Sequence, residues 1–185
     1  MDINDAVQKA LINNNSYKKQ QYIYDEAKES VSISTASYKP SLDLAYTYNA
    51  NKENVGYGKD NSNASATVSY NLFNGLSDKY NIKSSKALES SSKHNLDSSR
   101  YDLILSVKQN YISYLKTVKN IETQENAFKL LEQQFKDSEN RYEQGLLARN
   151  DLLQVNAQML QSKQNLARAV ADSRITKSQL KNLLG

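Results

Sequence analysis

Apolar residues recur along the first part of the chain at alternating intervals of three and four residues. This spacing begins at Ile3 and continues to Tyr38, and a few of its positions, such as Asn14, are polar. A repeat of this kind places one side of a helix against a neighbouring helix in a coiled coil. The spacing ends just before Pro40, because proline disfavours helical geometry in the residue that precedes it. We therefore predict a helix over residues 1–39.

Beyond the proline, the period of the pattern changes to two. Leucines and tyrosines occupy one set of alternate positions, and smaller or polar residues occupy the other. A polar stretch over residues 51–63 contains Gly56 and Gly58, and the alternation then resumes. Two alternating runs joined by a polar loop predict a β-hairpin, with strands over residues 41–50 and 64–73.

The larger side chains of these two strands share one face. Runs of about ten residues have the length that a tilted membrane-spanning strand requires, although alternation alone also suits a hairpin in a soluble sheet. In the membrane interpretation, the smaller face lines a lumen and the lipid-facing positions are Leu42, Leu44, Tyr46, Tyr48, Val68, Tyr70 and Leu72. The expected opposing pairs are Leu42 with Leu72, Leu44 with Tyr70, and Tyr46 with Val68.

No helix-breaking residue occurs between Leu76 and the region of Gly145. We predict a helix over residues 76–143, which at 1.5 Å per residue is roughly 100 Å long. Its apolar seam consists of Ile104, Val107, Tyr111, Tyr114, Val118 and Ile121. Because Leu105, Ile112 and Leu115 lie on an adjoining flank, this helix is expected to contact two neighbours.

A tip turn over residues 144–150 and a last helix over 151–184 complete the predicted elements. The last helix keeps the three-and-four spacing at Leu152, Val155, Met159, Ser162, Leu166, Ala169, Ser173, Thr176, Leu180 and Leu183. The first and last helices are each about half as long as the central one, so they can stack end to end beside it. The predicted fold is mainly α, with long antiparallel coiled-coil helices and one β-hairpin.

Four segments, taken in order, resemble the TolC family of outer-membrane efflux proteins, specifically the first of its two tandem repeats. They are residues 5–14, 38–44, 70–75 and 141–152, and the closing Leu183-Leu184-Gly185 is similar to the end of a repeat. The resemblance covers nearly the whole chain. It implies a homotrimer in which the helices form the wall of an α-helical barrel and the two strands belong to an outer-membrane β-barrel.

The resemblance also implies a function. The family exports drugs or proteins passively, in efflux or type I secretion, and is coupled to an inner-membrane pump by a periplasmic adaptor. By the same resemblance, Gly145, Leu146 and Leu147 form the tip that meets the adaptor. Asn150 and Asp151 would help to hold the periplasmic entrance closed through contacts with the second repeat. That repeat and the lipid-anchoring cysteine of some relatives are missing here, so we expect a fragment of a longer protein located in the outer membrane and periplasm.

The composition suits a thin helical wall. Hydrophobic residues make up 38% of the chain, below the usual ~45–50%. The 24 basic and 20 acidic residues are interspersed, which indicates a solvated surface rather than a nucleic-acid site. No run approaches the ~20 apolar residues of a transmembrane helix. The segment after Met1 lacks the basic start and apolar core of a signal peptide, so an exported protein would already have lost its signal.

The sequence contains little that could support catalysis. His94 is the only histidine and cysteine is absent, so neither a histidine cluster nor a thiolate can hold a metal or act as a nucleophile. The Gly56-Tyr57-Gly58 segment lies in the predicted hairpin loop rather than before a helix, so it is not a phosphate-binding loop. We expect no enzyme activity and no catalytic, cofactor-binding or metal-binding residues.

Two other classes of protein share part of this pattern. A flagellin-like filament subunit has long helices rich in Ser, Asn and Gln, but is not expected to contain two ten-residue strands with Tyr and Leu on one face. A soluble periplasmic coiled-coil adaptor accounts for the reversal near Gly145, but not for the change of period at Pro40.

Overall fold

The computed structural model describes residues 2–50 and 61–185, so the predicted loop residues Gly56, Tyr57 and Gly58 lie outside the described residues. The helices are α1 (Ile3–Asn13), α2 (Asn15–Thr35), α3 (Ser77–Glu143) and α4 (Arg149–Leu184), and a short 3₁₀-helix, Ala36–Tyr38, follows α2. The strands β1 (Ser41–Asn49) and β2 (Asn61–Ser69) form an antiparallel hairpin. The predicted fold class, long helices with one β-hairpin, is confirmed.

The chain divides into two compact units. Met1–Lys19 and Asp97–Gly185 form the first, which we call the terminal unit, and Gln20–Leu96 forms the second, the hairpin unit. None of the helices in the described ranges combines the length and the apolar character needed to cross a membrane.

In the terminal unit, α1, α3 and α4 pack around a small apolar core. Its buried members are Ala6, Ala10, Leu103, Val107, Leu180 and Leu184. The two alanines allow α1 to approach its neighbours closely, and Val107 is the largest fully buried side chain in the described part of the chain. The core therefore lies where α1 meets the last turns of α4.

The seam between α3 and α4 contains small and hydroxylated residues among its larger apolar ones. Ser162, Ala169 and Ser173 are buried on α4, and the Oγ1 atoms of Thr117 and Thr176 are 3.0 Å apart. Every α4 position predicted to lie in the seam is buried or half-buried. The spacing of three and four residues thus identified the packed side of this helix correctly.

The first helical segment is two helices, so the prediction of one helix over residues 1–39 was wrong at Asn14. This residue has an extended backbone (φ −62°, ψ 120°) between α1 and α2. Its Oδ1 accepts a hydrogen bond from the backbone N–H of Tyr17 at 3.0 Å, as a residue at a helix N-terminus does. The apolar spacing continues unchanged across Asn14, which is why periodicity did not reveal the break.

The predicted register of the hairpin was also wrong. The observed pairs are Leu42 with Val68, Leu44 with Ala66, and Tyr46 with Ala64. The partner of Leu42 is therefore Val68 instead of Leu72, a shift of four positions (72 − 68). Because side chains alternate with a period of two, an even shift leaves the same residues on each face. Alternation alone cannot distinguish these two registers.

The position of β2 in the sequence explains the shift in register. The strand covers Asn61–Ser69 instead of the predicted 64–73. Its start lies earlier than predicted, because Asn61 pairs with Asn49 of β1. Tyr70 and Leu72 consequently lie beyond the end of the strand, and their assignment as strand positions was wrong.

Hydroxyl groups also join the helices of the hairpin unit. The Oγ atoms of Ser34 and Ser85 are 2.7 Å apart, and Ser92 Oγ donates to the backbone oxygen of Ile23 at 3.4 Å. Serine adds little bulk, so α2 and this part of α3 lie close together with few apolar side chains between them.

Candidate functional site

The long helix α3 ends in a left-handed turn at Gly145, whose φ is +73°. The backbone N–H of Leu146 donates to the oxygen of Arg141 at 2.8 Å, and that of Gly145 donates to the oxygen of Tyr142 at 2.9 Å. This pair of bonds is the Schellman motif, in which glycine commonly occupies the position with positive φ. The turn expected around Gly145 is therefore built by a defined backbone geometry.

The side chain that follows this glycine points into solvent. Leu146 is 72% exposed, whereas Leu147 is half-buried. In a Schellman motif, the residue at the position of Leu146 frequently packs back onto the last helical turn, and here it remains exposed. A Cβ placed on Gly145 would meet no atom within 4 Å. The tip is an open surface with one projecting apolar side chain.

Asn150 and Asp151 lie in the first turn of α4, and both are exposed. Within the described residues, neither side chain has a hydrogen-bond or ion-pair partner. The N-cap residue of this helix, Ala148, makes no side-chain capping bond, and the helix dipole favours negative charge such as that of Asp151 in the first turn. Both polar side chains are available for contacts outside the chain.

Both strands of the hairpin are exposed along their whole length. On the face with larger side chains, Leu44 is 75% exposed and Tyr46 70%. Leu42, Tyr48 and Val68 lie on the same face and are also exposed. Contiguous exposed apolar surface of this kind commonly marks a site of interaction.

Apolar residues also lie on the sides of α3 and α4 that face away from their shared seam. On α3 these are Tyr101, Leu105, Ile112 and Leu115, and on α4 they are Leu153, Leu160 and Ile175, all of them exposed. The flank on α3 was predicted from the sequence at Leu105, Ile112 and Leu115, whereas the flank on α4 was not predicted. The seven-residue interval between Leu153 and Leu160 is the signal that could have revealed it.

Ion pairs in the described part of the chain lie on the solvent-exposed surface. Lys119 Nζ lies 2.9 Å from Glu122 Oε2, and this hydrogen bond raises the pKa of Lys119 and lowers that of Glu122. Both side chains are solvent-exposed, so the pair contributes little to stability. The described residues include no group of three or more His, Cys, Asp or Glu side chains that could hold a metal.

A family model described as "Outer membrane efflux protein" matches residues 6–185. The fold is similar to that of the CmeC outer membrane channel of Campylobacter jejuni, with a TM-score of 0.86 and 18% identity over 99% of this chain and 41% of that one. A membrane protein from Pseudomonas aeruginosa is similar with a TM-score of 0.82 and 20% identity, over 99% of this chain and 44% of that one. The outer membrane protein VceC of Vibrio cholerae is similar with a TM-score of 0.78 and 17% identity, over 99% of this chain and 46% of that one.

The chain spans less than half the length of these solved structures. At such low identity, the likeness shows that the fold is shared. No curated protein sequence gives a significant match. The family match favours the channel interpretation over the filament subunit and the soluble adaptor considered above.

Proposed function

Because the chain belongs to the outer membrane efflux protein family, we propose that it forms one structural repeat of a trimeric outer-membrane channel. In this proposal, the hairpin contributes two strands to a β-barrel in the membrane, and the helices form part of a hollow wall in the periplasm. The channel is a passive conduit for efflux or type I secretion. A periplasmic adaptor couples it to an inner-membrane pump that supplies the energy.

The exposed apolar residues on the outer sides of α3 and α4 carry this proposal. In a closed wall of helices, each helix packs between two neighbours, so both outer sides of the α3–α4 pair become buried. Burial of one leucine or isoleucine side chain stabilises by about 1.5–3 kcal/mol relative to exposure. Residues such as Ile112 on α3 and Leu160 on α4 would gain this burial in the wall and lack it in a lone chain.

The hairpin supports the same proposal. Among the described residues, each strand pairs only with the other one, and strands at a sheet edge pair with further strands when these are available. Leu42, Leu44, Tyr46, Tyr48 and Val68 would face the lipid. The opposite face, made of small and polar residues with Asp43, would face the lumen. Tyr70 and Leu72, beyond the strand, would lie at the membrane edge.

The tip turn supports the proposed link to the pump. Leu146 is exposed beside an unobstructed glycine, which suits docking of the adaptor onto Gly145, Leu146 and Leu147. The unpaired side chains of Asn150 and Asp151 suit polar contacts that hold the periplasmic entrance closed.

Charge substitution on the outer side of α3 tests the proposal. In the whole protein, Ile112→Lys should sharply reduce the amount of folded trimer in the outer membrane and increase drug susceptibility, because the lysine would enter a packed interface. The matched control is Ser113→Lys, which changes an exposed polar residue of α3 that lies about 100° around the helix axis from Ile112 and should affect neither measurement. A normal trimer level and normal efflux in the Ile112→Lys variant would contradict the packed wall.

A further inference from the structure

Large apolar side chains are concentrated where the hairpin joins the helices in the hairpin unit. Those at least half exposed are Tyr38, Tyr70, Leu72, Phe73, Leu76 and Tyr80. We call this patch, together with the lysines described next, the junction surface. It continues the apolar row of the strands toward the helices.

Three lysines lie within this patch. Lys39 precedes the hairpin, and Lys79 and Lys83 lie one helical turn apart on the same side of α3. All three are exposed, and none forms an ion pair with another described residue. The ammonium groups are therefore free to bind an anion outside the chain.

The pairing of the chain around the hairpin places Lys39 at the same end as the start of α3. Ser41 pairs with Ser69 at the end of the sheet, so Lys39, two residues before Ser41, and Asn71, two residues after Ser69, both belong to this end. The side chain of Asn71 donates to Asp78 Oδ2 at 3.4 Å. All three lysines thus belong to one end of the hairpin.

The backbone at Leu76 adds an independent observation. Its φ is +70°, and it is the only residue other than glycine with positive φ in the described part of the chain. Leucine is unfavourable in this conformation, and here its side chain is 50% exposed. An outlier of this kind points to a functional requirement, in this case an apolar contact outside the chain.

We propose that the junction surface binds the headgroup region of the membrane leaflet on the helix side of the hairpin, and that Lys39, Lys79 and Lys83 bind the phosphates of anionic phospholipids. The proposal rests on the proposed function, since it requires the hairpin to lie in a membrane. Tyrosine rings favour the headgroup level, and lysine stems lie along apolar surface while their ammonium groups reach polar surroundings. Positive charge and continuity with the apolar face of the strands identify lipid as the occupant.

Native mass spectrometry of the whole protein in detergent tests this binding. Phosphatidylglycerol and phosphatidylcholine with identical acyl chains are added in equal amounts, and the wild type should bind the anionic lipid preferentially. A lysine near an anionic lipid surface contributes about five-fold in binding. The double substitution Lys79→Gln, Lys83→Gln should therefore lower the preference by roughly ten-fold or more.

The matched control is the double substitution Lys28→Gln, Lys93→Gln. It removes the same charge from exposed lysines of the same unit, with Lys93 roughly 15 Å farther along α3 than Lys83. The lipid preference should stay at the wild-type value. An equal loss in both double variants would overturn the proposal, because it would mean a non-specific effect of net charge.

Two further results would also overturn it. One is the absence of any preference in wild-type protein that inserts normally into phosphatidylcholine vesicles. The other is displacement of the bound lipid by glycerol phosphate alone, which would indicate a site for free phosphate. Failure of the wild type to insert into any vesicle would instead contradict the proposed channel function, so the two failures are distinguishable.

Discussion

The side-chain amide of Asn14 donates a hydrogen bond to the backbone oxygen of Leu183 at 3.1 Å, and so joins the start of α2 to the end of α4. The same side chain accepts a bond from the N–H of Tyr17. Helix ends leave backbone groups without partners, and one buried asparagine satisfies groups at two ends. The contact is close, since a Cβ on the neighbouring Gly185 would lie 2.7 Å from Asn13 Cβ.

Replacing this asparagine should destabilise the terminal unit. Asn14→Ala removes the cap of α2, which costs about 0.5–2 kcal/mol, and leaves the Leu183 oxygen without its partner, which costs about 1–3 kcal/mol. We expect a total loss of roughly 2 kcal/mol, equivalent to a decrease in Tm of about 4–8 °C for a protein of this size. Thermal unfolding followed by circular dichroism measures it.

The adjacent Asn15 provides the control. It is an exposed residue in the first turn of α2, so Asn15→Ala should change Tm by no more than a degree or two, as surface substitutions usually do. Equal Tm values for the Asn14→Ala and Asn15→Ala variants would mean that the bond to Leu183 contributes nothing to stability.

The sequence predicted the helices well and their interruption poorly. The positions from Leu152 to Leu183 form a packed seam because burial in a coiled coil imposes a strict spacing. Asn14 also occupies a seam position, so its role as a cap was hidden by the same periodicity. The run from Asn13 to Ser16 consists of residues that favour helix N-termini, and it could have indicated that a new helix begins there.

The candidate surfaces were predicted to different degrees. The left-handed turn at Gly145 followed from a lone glycine between two helices, and the exposure of Leu146 agrees with the expected tip. The hairpin register could not be predicted, because pairing Leu42 with Val68 or with Leu72 leaves every side chain on the same face. The strained backbone of Leu76 left no trace in the pattern of hydrophobic and polar residues.

The two faces of the hairpin should tolerate charge differently. Leu44 lies on the larger face near the middle of β1, where arginine in a membrane costs about 2–4 kcal/mol. In the whole protein, Leu44→Arg should therefore reduce the amount of folded trimer in the outer membrane. Thr47→Arg places the same side chain on the polar face and should leave assembly close to wild type. Similar trimer levels for both variants would contradict the lipid-facing assignment.

The isolated 185-residue chain should keep its helices but associate through the hairpin. In the described part of the chain the sheet has two strands, both at an edge, and the apolar face is exposed, which together favour pairing with other copies. Circular dichroism should show mainly helix, and light scattering in plain buffer should show a heterogeneous mixture. The triple substitution Leu42→Ser, Leu44→Ser, Tyr46→Ser should narrow the size distribution. A uniform wild-type monomer with an ordered hairpin would contradict this prediction.

Substitution of Leu146 at the tip should show whether this leucine stabilises the fold or contacts the adaptor. Leu146 is 72% exposed, so Leu146→Ser should change the free energy of unfolding by less than about 0.5 kcal/mol. In the whole protein, the same change should abolish efflux while leaving folded trimer in the outer membrane, because it removes the apolar contact proposed for the adaptor. Drug susceptibility, trimer level and adaptor cross-linking are the three measurements.

Two neighbouring substitutions separate docking from folding. Leu147 is half-buried, so Leu147→Ser should lower stability by about 1 kcal/mol, near the average for point substitutions. Gly145→Val meets no steric obstacle, but it forces a β-branched residue to adopt positive φ, which costs about 1–2 kcal/mol. Because bulk at the turn should obstruct the adaptor, Gly145→Val should also impair efflux, whereas loss of efflux in Leu146→Ser without lower stability would mark the tip as a docking surface. If Leu146→Ser leaves susceptibility and cross-linking unchanged, the tip has only a structural role.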